Sequence, residues 1–339
     1  MFKLFVGDNL EDVNAPEFPK ELAWLNSKPL KLKELNAEKK TVLVDFWTYS
    51  CVNCLRTLPY LLHWYEKYEM SGLEIIGVHT PEFEFEKDIL NIKNFLISRK
   101  IKYPVVVDSD KKIWDLYSNH VWPRKLLIDI EGRIRYDHSG EGSYSQTEEK
   151  IQELLIDTNQ ALKFNRVVPE IEHLGGGAVC YSATVETYAG FKRGVLGNPE
   201  GYFPNRKFEY SYRGEYTDGA VYLEGIWTAK EQYLEHSVST KRNKDYLSLR
   251  FHGLEVNAVA KVGNNSTQEV LVTLDEQKIP VGARGKDVYE RESNTYFKIV
   301  EPRLYNLVRT DKYSSHVLKL SPTQDGFQIY AFTFGGCFH

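Results

Sequence analysis

At 339 residues the chain is too long for one ordinary compact unit, so two domains are expected. Its 43 basic and 47 acidic residues leave a net charge of −4, with no polybasic footprint, which argues against a nucleic-acid partner. No stretch reaches the ~18 apolar residues of a membrane span, and Met1–Phe5 is too short and charged too early for a secretory leader. The expected setting is therefore cytoplasmic, or extracytoplasmic if the N-terminus is incomplete.

Residues 1–40 carry no catalytic signal. The first strong element is the apolar strand Thr41–Trp47, followed by a short turn and Cys51-Val52-Asn53-Cys54 at a helix start. That spacing sets two thiols on one helical turn, where they can close a small ring reversibly. Cys51 lies at the positive end of the helix dipole, which favours thiolate, the species that attacks a disulfide. A C-x-x-C pair is also half of a zinc site, but structural zinc needs a second close pair. Cys180 and Cys337 stand far downstream at no such spacing, and neither His63 nor His79 has an H-x3-H partner. Redox chemistry with no metal and no cofactor is the expectation. Asp45 lies inside the strand, where a carboxylate is costly to bury and its pKa should rise. A buried acid beneath a dithiol can take the proton of Cys54.

Further along, Leu73–His79 reads as a buried parallel strand and Phe85–Arg99 as a helix with Ile89, Ile92, Phe95 and Leu96 on one face. Pro104–Asp108 follows as a strand, Lys111–Tyr117 as a short helix and Lys125–Ile130 as a strand. Pro123 on its own reads as a turn before that strand. Glu131-Gly132 turns into Arg133–Tyr136, and Gln146–Leu162 is a long amphipathic helix. This alternation predicts an α/β domain over 1–165 with a mixed, mostly parallel sheet.

Past Asn165 helical periodicity stops. Tyr222–Trp227, Tyr246–Phe251, Glu255–Val262, Glu269–Leu274, Thr295–Ile299, His316–Leu320 and Gln328–Phe334 are strand-like and separated by turn residues. They predict an all-β sandwich or jelly roll over 166–339, entered through a joint at Leu174-Gly175-Gly176-Gly177-Ala178. Cys180 and Cys337 flank this half, and their positions suit either a disulfide or two free thiols. Asn264 and Asn265 each satisfy an N-x-S/T sequon.

Asp45-Phe46-Trp47-x3-Cys51-x2-Cys54 resembles the active-site strand and helix of thioredoxin, and the spelling Phe46-Trp47-Thr48-Tyr49-Ser50-Cys51-Val52-Asn53-Cys54 is similar to the TlpA/DipZ branch. Gly77-Val78-His79-Thr80-Pro81-Glu82-Phe83, Tyr103-Pro104-Val105, Trp122-Pro123 and Gly140-Glu141-Gly142-x-Tyr144 continue the likeness in order. It covers about 15–163, with a lead-in strand around Trp24-Leu25-Asn26. The resemblance implies a thioredoxin-like fold in which Cys51 is the nucleophile and Cys54 the resolving cysteine. It implies that Pro123 is a cis-proline presenting a backbone edge to substrate, with Trp47, Glu82 and Trp122 on the substrate side of the dithiol. The second half resembles the β-rich domain of DipZ-type proteins through Glu186-Thr187-Tyr188-x-Gly190, Leu223-x-Gly225-x-Trp227, Leu304-Tyr305 and Tyr330-Ala331-Phe332-Thr333-Phe334-Gly335. That domain is likened to carbohydrate-binding modules, which makes Trp227, Tyr188, Tyr202 and Phe203 either sugar-stacking rings or sandwich core.

The expected activity is thiol–disulfide exchange with a disulfide-containing protein substrate and an external thiol reductant. Val52-Asn53 replaces the Gly-Pro of thioredoxin, and nothing in the sequence sets the direction of electron flow. One rival is a peroxiredoxin-like antioxidant peroxidase, since Thr48-x-x-Cys51 matches half of its motif, although Val44 stands where a proline is required. A second is a glycan- or protein-binding β domain with an accessory redox unit.

Overall fold

A computed structural model of the chain describes residues 13–165, 167, 180–237, 245–263 and 266–337. The chain divides into two compact units, Met1–Gly175 and Gly176–His339. Met1–Phe5, the Leu174–Ala178 joint and the sequons at Asn264 and Asn265 fall outside the described residues.

The first unit runs β1 (Ala23–Leu25), α1 (Leu32–Ala37), β2 (Thr41–Trp47), α2 (Val52–Tyr68), β3 (Leu73–His79), α3 (Ile89–Ser98), β4 (Val105–Val107), α4 (Lys112–Leu116), β5 (Arg124–Ile128), β6 (Ile134–Ser139) and α5 (Tyr144–Thr158). Its six strands lie in the order β1-β4-β3-β2-β5-β6. Parallel pairing is confined to β2–β3 and β3–β4, while β1–β4, β2–β5 and β5–β6 are antiparallel. The sheet is thus more antiparallel than expected. The tight Asp129–Arg133 turn, in which Asp129 accepts from the N–H groups of Glu131 and Arg133, sends β6 straight back along β5.

Every residue of β2 is buried, because the strand is central and covered on both faces. Val42, Val44 and Phe46 join Ile76, Val78, Val106, Leu126 and Ile128 in one core. Alternation along the strand turns Asp45 and Trp47 to the opposite face, where they meet Leu55, Leu58 and Leu61 of α2. That helix buries Cys54, Thr57, Leu58, Leu61, Trp64 and Tyr68, the stripe expected of an amphipathic helix. The helix expected over Phe85–Arg99 is interrupted. A 3-10 turn at Glu84–Lys87 ends at Asp88, whose carboxylate caps α3 by accepting from the Leu90 N–H at 2.9 Å.

The second unit is all β. It comprises β7 (Thr187–Tyr188), β8 (Lys207–Tyr210), β9 (Val221–Ala229), β10 (Leu234–His236), β11 (Tyr246–Val262) and β12 (Gln268–Leu274). There follow β13 (Gln277–Lys278), β14 (Val288–Arg291), β15 (Asn294–Ile299), β16 (Arg303–Pro322) and β17 (Phe327–Gly335). The expected strands Tyr246–Phe251 and Glu255–Val262 are one element, β11, because the break at Gly253 is absorbed as a register shift against β16. The two halves of β11 use different partners, β9 for the first and β17 for the second. With β9–β10 and β10–β17 also paired, the hydrogen bonding closes on itself and all eleven strands form one network. Trp227 is fully buried in the resulting core, with Tyr202 and Phe203 packed against it. Trp227 is therefore a core residue. The Tyr188 ring is covered by the Arg193 guanidinium at 3.7 Å. Cys180 and Cys337 pair as an antiparallel bridge and are disulfide-bonded.

Candidate active site

Cys51 is the N-cap of α2, with extended backbone (φ −81°, ψ 120°), and Cys54 lies in the first turn. The two thiols differ sharply in access: Cys51 is half-buried, whereas Cys54 is 5 % exposed. Burial, and then its hydrogen bond to the Cys51 sulfur, push the Cys54 thiol well above the usual range. The inner sulfur therefore keeps its proton while the outer one is accessible.

Beneath the pair sits Asp45, 1 % exposed. Desolvation raises its carboxyl to about 7, with Lys125 pulling the other way. Asp45, Trp47 and Cys54 share a small cavity of about 10 Å³, closed by Leu58, Phe95 and Tyr103. That volume suits a single water. Asp45 Oδ1 and Trp47 Nε1 are buried there without a hydrogen-bond partner. A site with one acceptor, one donor and a thiol around one water volume can pass a proton between Cys54 and Asp45.

The turn that delivers Cys51 is anchored from the side. Glu86, fully buried, accepts from Thr48 Oγ1 at 2.6 Å and Ser50 Oγ at 2.5 Å. It also accepts from the N–H groups of Glu82 at 2.6 Å and Phe83 at 2.9 Å. His79 is fully buried between Trp47 and Tyr49, and desolvation lowers its pKa to about 3, so the ring is neutral.

The Trp122–Pro123 peptide bond is cis, and the Pro123 carbonyl accepts from Gly140 N–H at 2.7 Å. Arg124 pairs with Phe46 across β5 and β2. Continuing that register sets Pro123 level with Trp47, at the sheet end where α2 begins. Trp122 leans on Trp114 with ring centroids 4.3 Å apart, and Lys111 lies 5.2 Å from both rings. Glu82 is half-buried. Trp47 is only 4 % exposed. It offers almost no surface to a docking chain, and its place is in the wall of the cavity rather than on the substrate side.

The structure adds three residues that the sequence did not single out for a role in the site. Glu86 stands among several acidic neighbours, Lys125 reads as an ordinary strand charge, and His79 as a lone core histidine. The one available signal is a lysine opening the apolar run Leu126-Leu127-Ile128.

Residues 6–155 match the family described as Redoxin, and residues 184–335 the family described as Thioredoxin like C-terminal domain. Protein DipZ of Mycobacterium bovis is 30% identical over 328 residues, covering 95% of this chain and 43% of that protein. The chain thus spans less than half the length of that relative. The thiol-disulfide oxidoreductase YkuV of Bacillus subtilis is 31% identical over 143 residues, 42% of this chain and 95% of YkuV. The thiol-disulfide oxidoreductase ResA of Bacillus cereus is 33% identical over 130 residues, 38% of this chain and 71% of ResA. With the C-x-x-C geometry and a second domain of the DipZ type, the chain belongs to the thioredoxin-like thiol–disulfide oxidoreductases.

Proposed function

We propose that the chain exchanges disulfides in protein substrates through Cys51 and Cys54. The observation that carries this reading is the asymmetry of the pair, an accessible Cys51 over a buried, protonated Cys54 that shares a cavity with Asp45. The Cys51 thiolate attacks one sulfur of the substrate disulfide, forming a mixed disulfide and releasing the other sulfur as thiolate. The Cys54 proton passes across the cavity to the Asp45 carboxylate, whose pKa of about 7 suits a base at neutral pH. The Cys54 thiolate then displaces the substrate sulfur from Cys51. The protein dithiol loses two electrons and ends as the Cys51–Cys54 disulfide, while the substrate ends as two thiols. An external dithiol reductant restores the starting state by the same steps in reverse. The substrate segment docks along the backbone beside Pro123, at the sheet end where α2 starts.

The peroxidase reading lacks its key contact, because the Thr48 hydroxyl is committed to Glu86 at 2.6 Å. The test is trapping. The Cys54→Ser chain, mixed with insulin as the disulfide probe, is expected to accumulate an adduct on Cys51 that dithiothreitol releases. Failure to form any adduct overturns the reading.

A further inference from the structure

We propose that Ser314 and His316 form a further catalytic site in the β unit, a serine nucleophile and its base positioned by Asp275, which hydrolyses uncharged carboxylic esters. The site shares no residue with the dithiol and stands independently of the disulfide-exchange reading.

Ser314 and His316 stand two apart on β16 and so project from one face of it. Leu318 and Leu320 continue that face into the core. Both polar residues are half-buried, at the place where the core gives way to solvent. Ser314 Oγ lies 2.6 Å from His316 Nε2, and His316 Nδ1 lies 2.6 Å from Asp275 Oδ2. These are the separations required of a nucleophile, its base and the group that orients the base. The order of the ring nitrogens also fits. The Asp275 carboxylate only accepts, so Nδ1 carries the hydrogen, and Nε2 of the neutral ring turns a lone pair to the Ser314 hydroxyl.

The backbone fixes all three residues. Asp275 and Glu276, at φ 51° and 63°, make the two-residue turn between β12 and β13. The Asp275 N–H donates to the Val317 carbonyl at 2.9 Å, and Asp275 Oδ1 accepts from the Val317 N–H at 2.8 Å. Oδ2 is thereby held beside the ring of His316. Phe251, opposed to His316 on β11, packs against that ring at 5.9 Å. The residue opposed to Ser314 is Gly253, which brings no side chain over the hydroxyl. Pairing resumes only at Glu255 with Arg309, so Leu254 and residues 310–313 are skipped. Irregularities of this kind re-aim side chains and gather beside active sites. Lys319 pairs with Glu276, which leaves the Asp275 carboxylate as the uncompensated charge next to the serine. An uncharged ester meets no repulsion there, whereas a phosphate or carboxylate does. In the reaction His316 Nε2 takes the Ser314 proton as Oγ bonds to the ester carbonyl carbon. The bond to the leaving oxygen breaks, and that oxygen departs as an alcohol with the proton from His316. Water then attacks the acyl-serine by the same route, releasing a carboxylic acid and restoring the Ser314 hydroxyl.

The test uses the full chain carrying Cys51→Ser, so that no accessible thiolate attacks the probes. A fluorophosphonate is expected to bond to Ser314 Oγ with loss of fluoride. Peptide mass spectrometry should find that adduct forming at least roughly 100-fold faster than on Ser315, the exposed neighbour on the other face of the strand. Hydrolysis of p-nitrophenyl acetate should fall at least about 100-fold in both Ser314→Ala and His316→Gln. Asp275→Asn should slow labelling about tenfold or more, and nitrogen NMR should show His316 leaving the Nδ1–H tautomer. Labelling of Ser314 no faster than of Ser315, or ester hydrolysis unchanged in Ser314→Ala, overturns the site. A His316 tautomer unmoved by Asp275→Asn overturns the positioning role of Asp275. The labelling ratio is read with all three residues intact, so it decides the matter whether or not a variant folds.

Discussion

Glu86 accepts the Ser50 hydroxyl at 2.5 Å, which ties the residue immediately before Cys51 to the turn that opens α3. The same carboxylate takes Thr48 Oγ1 and the N–H groups of Glu82 and Phe83. Four donors on one sealed carboxylate make a clamp between two turns. Replacing it by alanine leaves those donors buried with no acceptor, and each unsatisfied group costs about 1–3 kcal/mol. Glu86→Ala is therefore expected to lose at least about 4 kcal/mol of unit stability in urea unfolding, four groups at the low end of that range. Glu86→Gln, which keeps the shape and part of the bonding, should lose less than half of that. An alanine variant within about 1 kcal/mol of wild type, near the worth of a single hydrogen bond, would refute the clamp.

The contrast between Glu86 and the cysteines shows what the chain makes legible. Asp45, Cys51 and Cys54 lie within ten residues, so strand, turn and helix start can be read as one local pattern. Glu86 sits in a run with Glu82, Glu84 and Asp88, where nothing local distinguishes a clamp from a solvated charge. Lys125 becomes meaningful only when β5 pairs with β2, a contact between residues eighty positions apart. In the second unit Gly253 reads as a strand breaker, yet it is a bulge within one long strand. Pairing on both sides of β11 overrides the local signal. Short edge elements such as β7 and β13 have two residues each and leave no pattern to read.

Asp45 costs stability in exchange for its chemistry. Its folded pKa of about 7 lies above the unfolded value of 3.8. Its contribution is thus most favourable below pH 3.8 and is lost as pH rises through about 7. Three units correspond to about 4 kcal/mol. Asp45→Asn is expected to raise the unfolding free energy measured in urea at pH 8 by up to that amount, and to slow resolution of the mixed disulfide roughly 100-fold. Unchanged resolution would remove Asp45 from the proton path.

His79 has the opposite sign. Its folded pKa of about 3 lies below the ordinary 6.5 because the buried ring resists protonation. Stability is full above pH 6.5 and falls as pH drops toward 3, by about 5 kcal/mol over the range. Between pH 4 and 6.5 the two groups largely offset each other, and each variant exposes the other. Asp45→Asn should show a steep acid loss. His79→Phe, which keeps the stack on Tyr49 seen at 5.5 Å, should instead gain stability on mild acidification. Parallel pH profiles for both variants would contradict this pairing.

The Cys180–Cys337 disulfide joins residues 157 positions apart across nearly all of the second unit. Cross-linking so long a segment restricts the unfolded chain strongly, and the loop-entropy relation gives about 4–5 kcal/mol. The first unit contains neither cysteine and has its own core. Two unfolding transitions are therefore expected by calorimetry. Cys180→Ser or dithiothreitol should lower the transition of the second unit by at least several degrees. The transition of the first unit should keep its position in the Cys180→Ser chain, because its own dithiol and core are untouched. If both transitions fell together, the bond would be supporting more than the β network it closes.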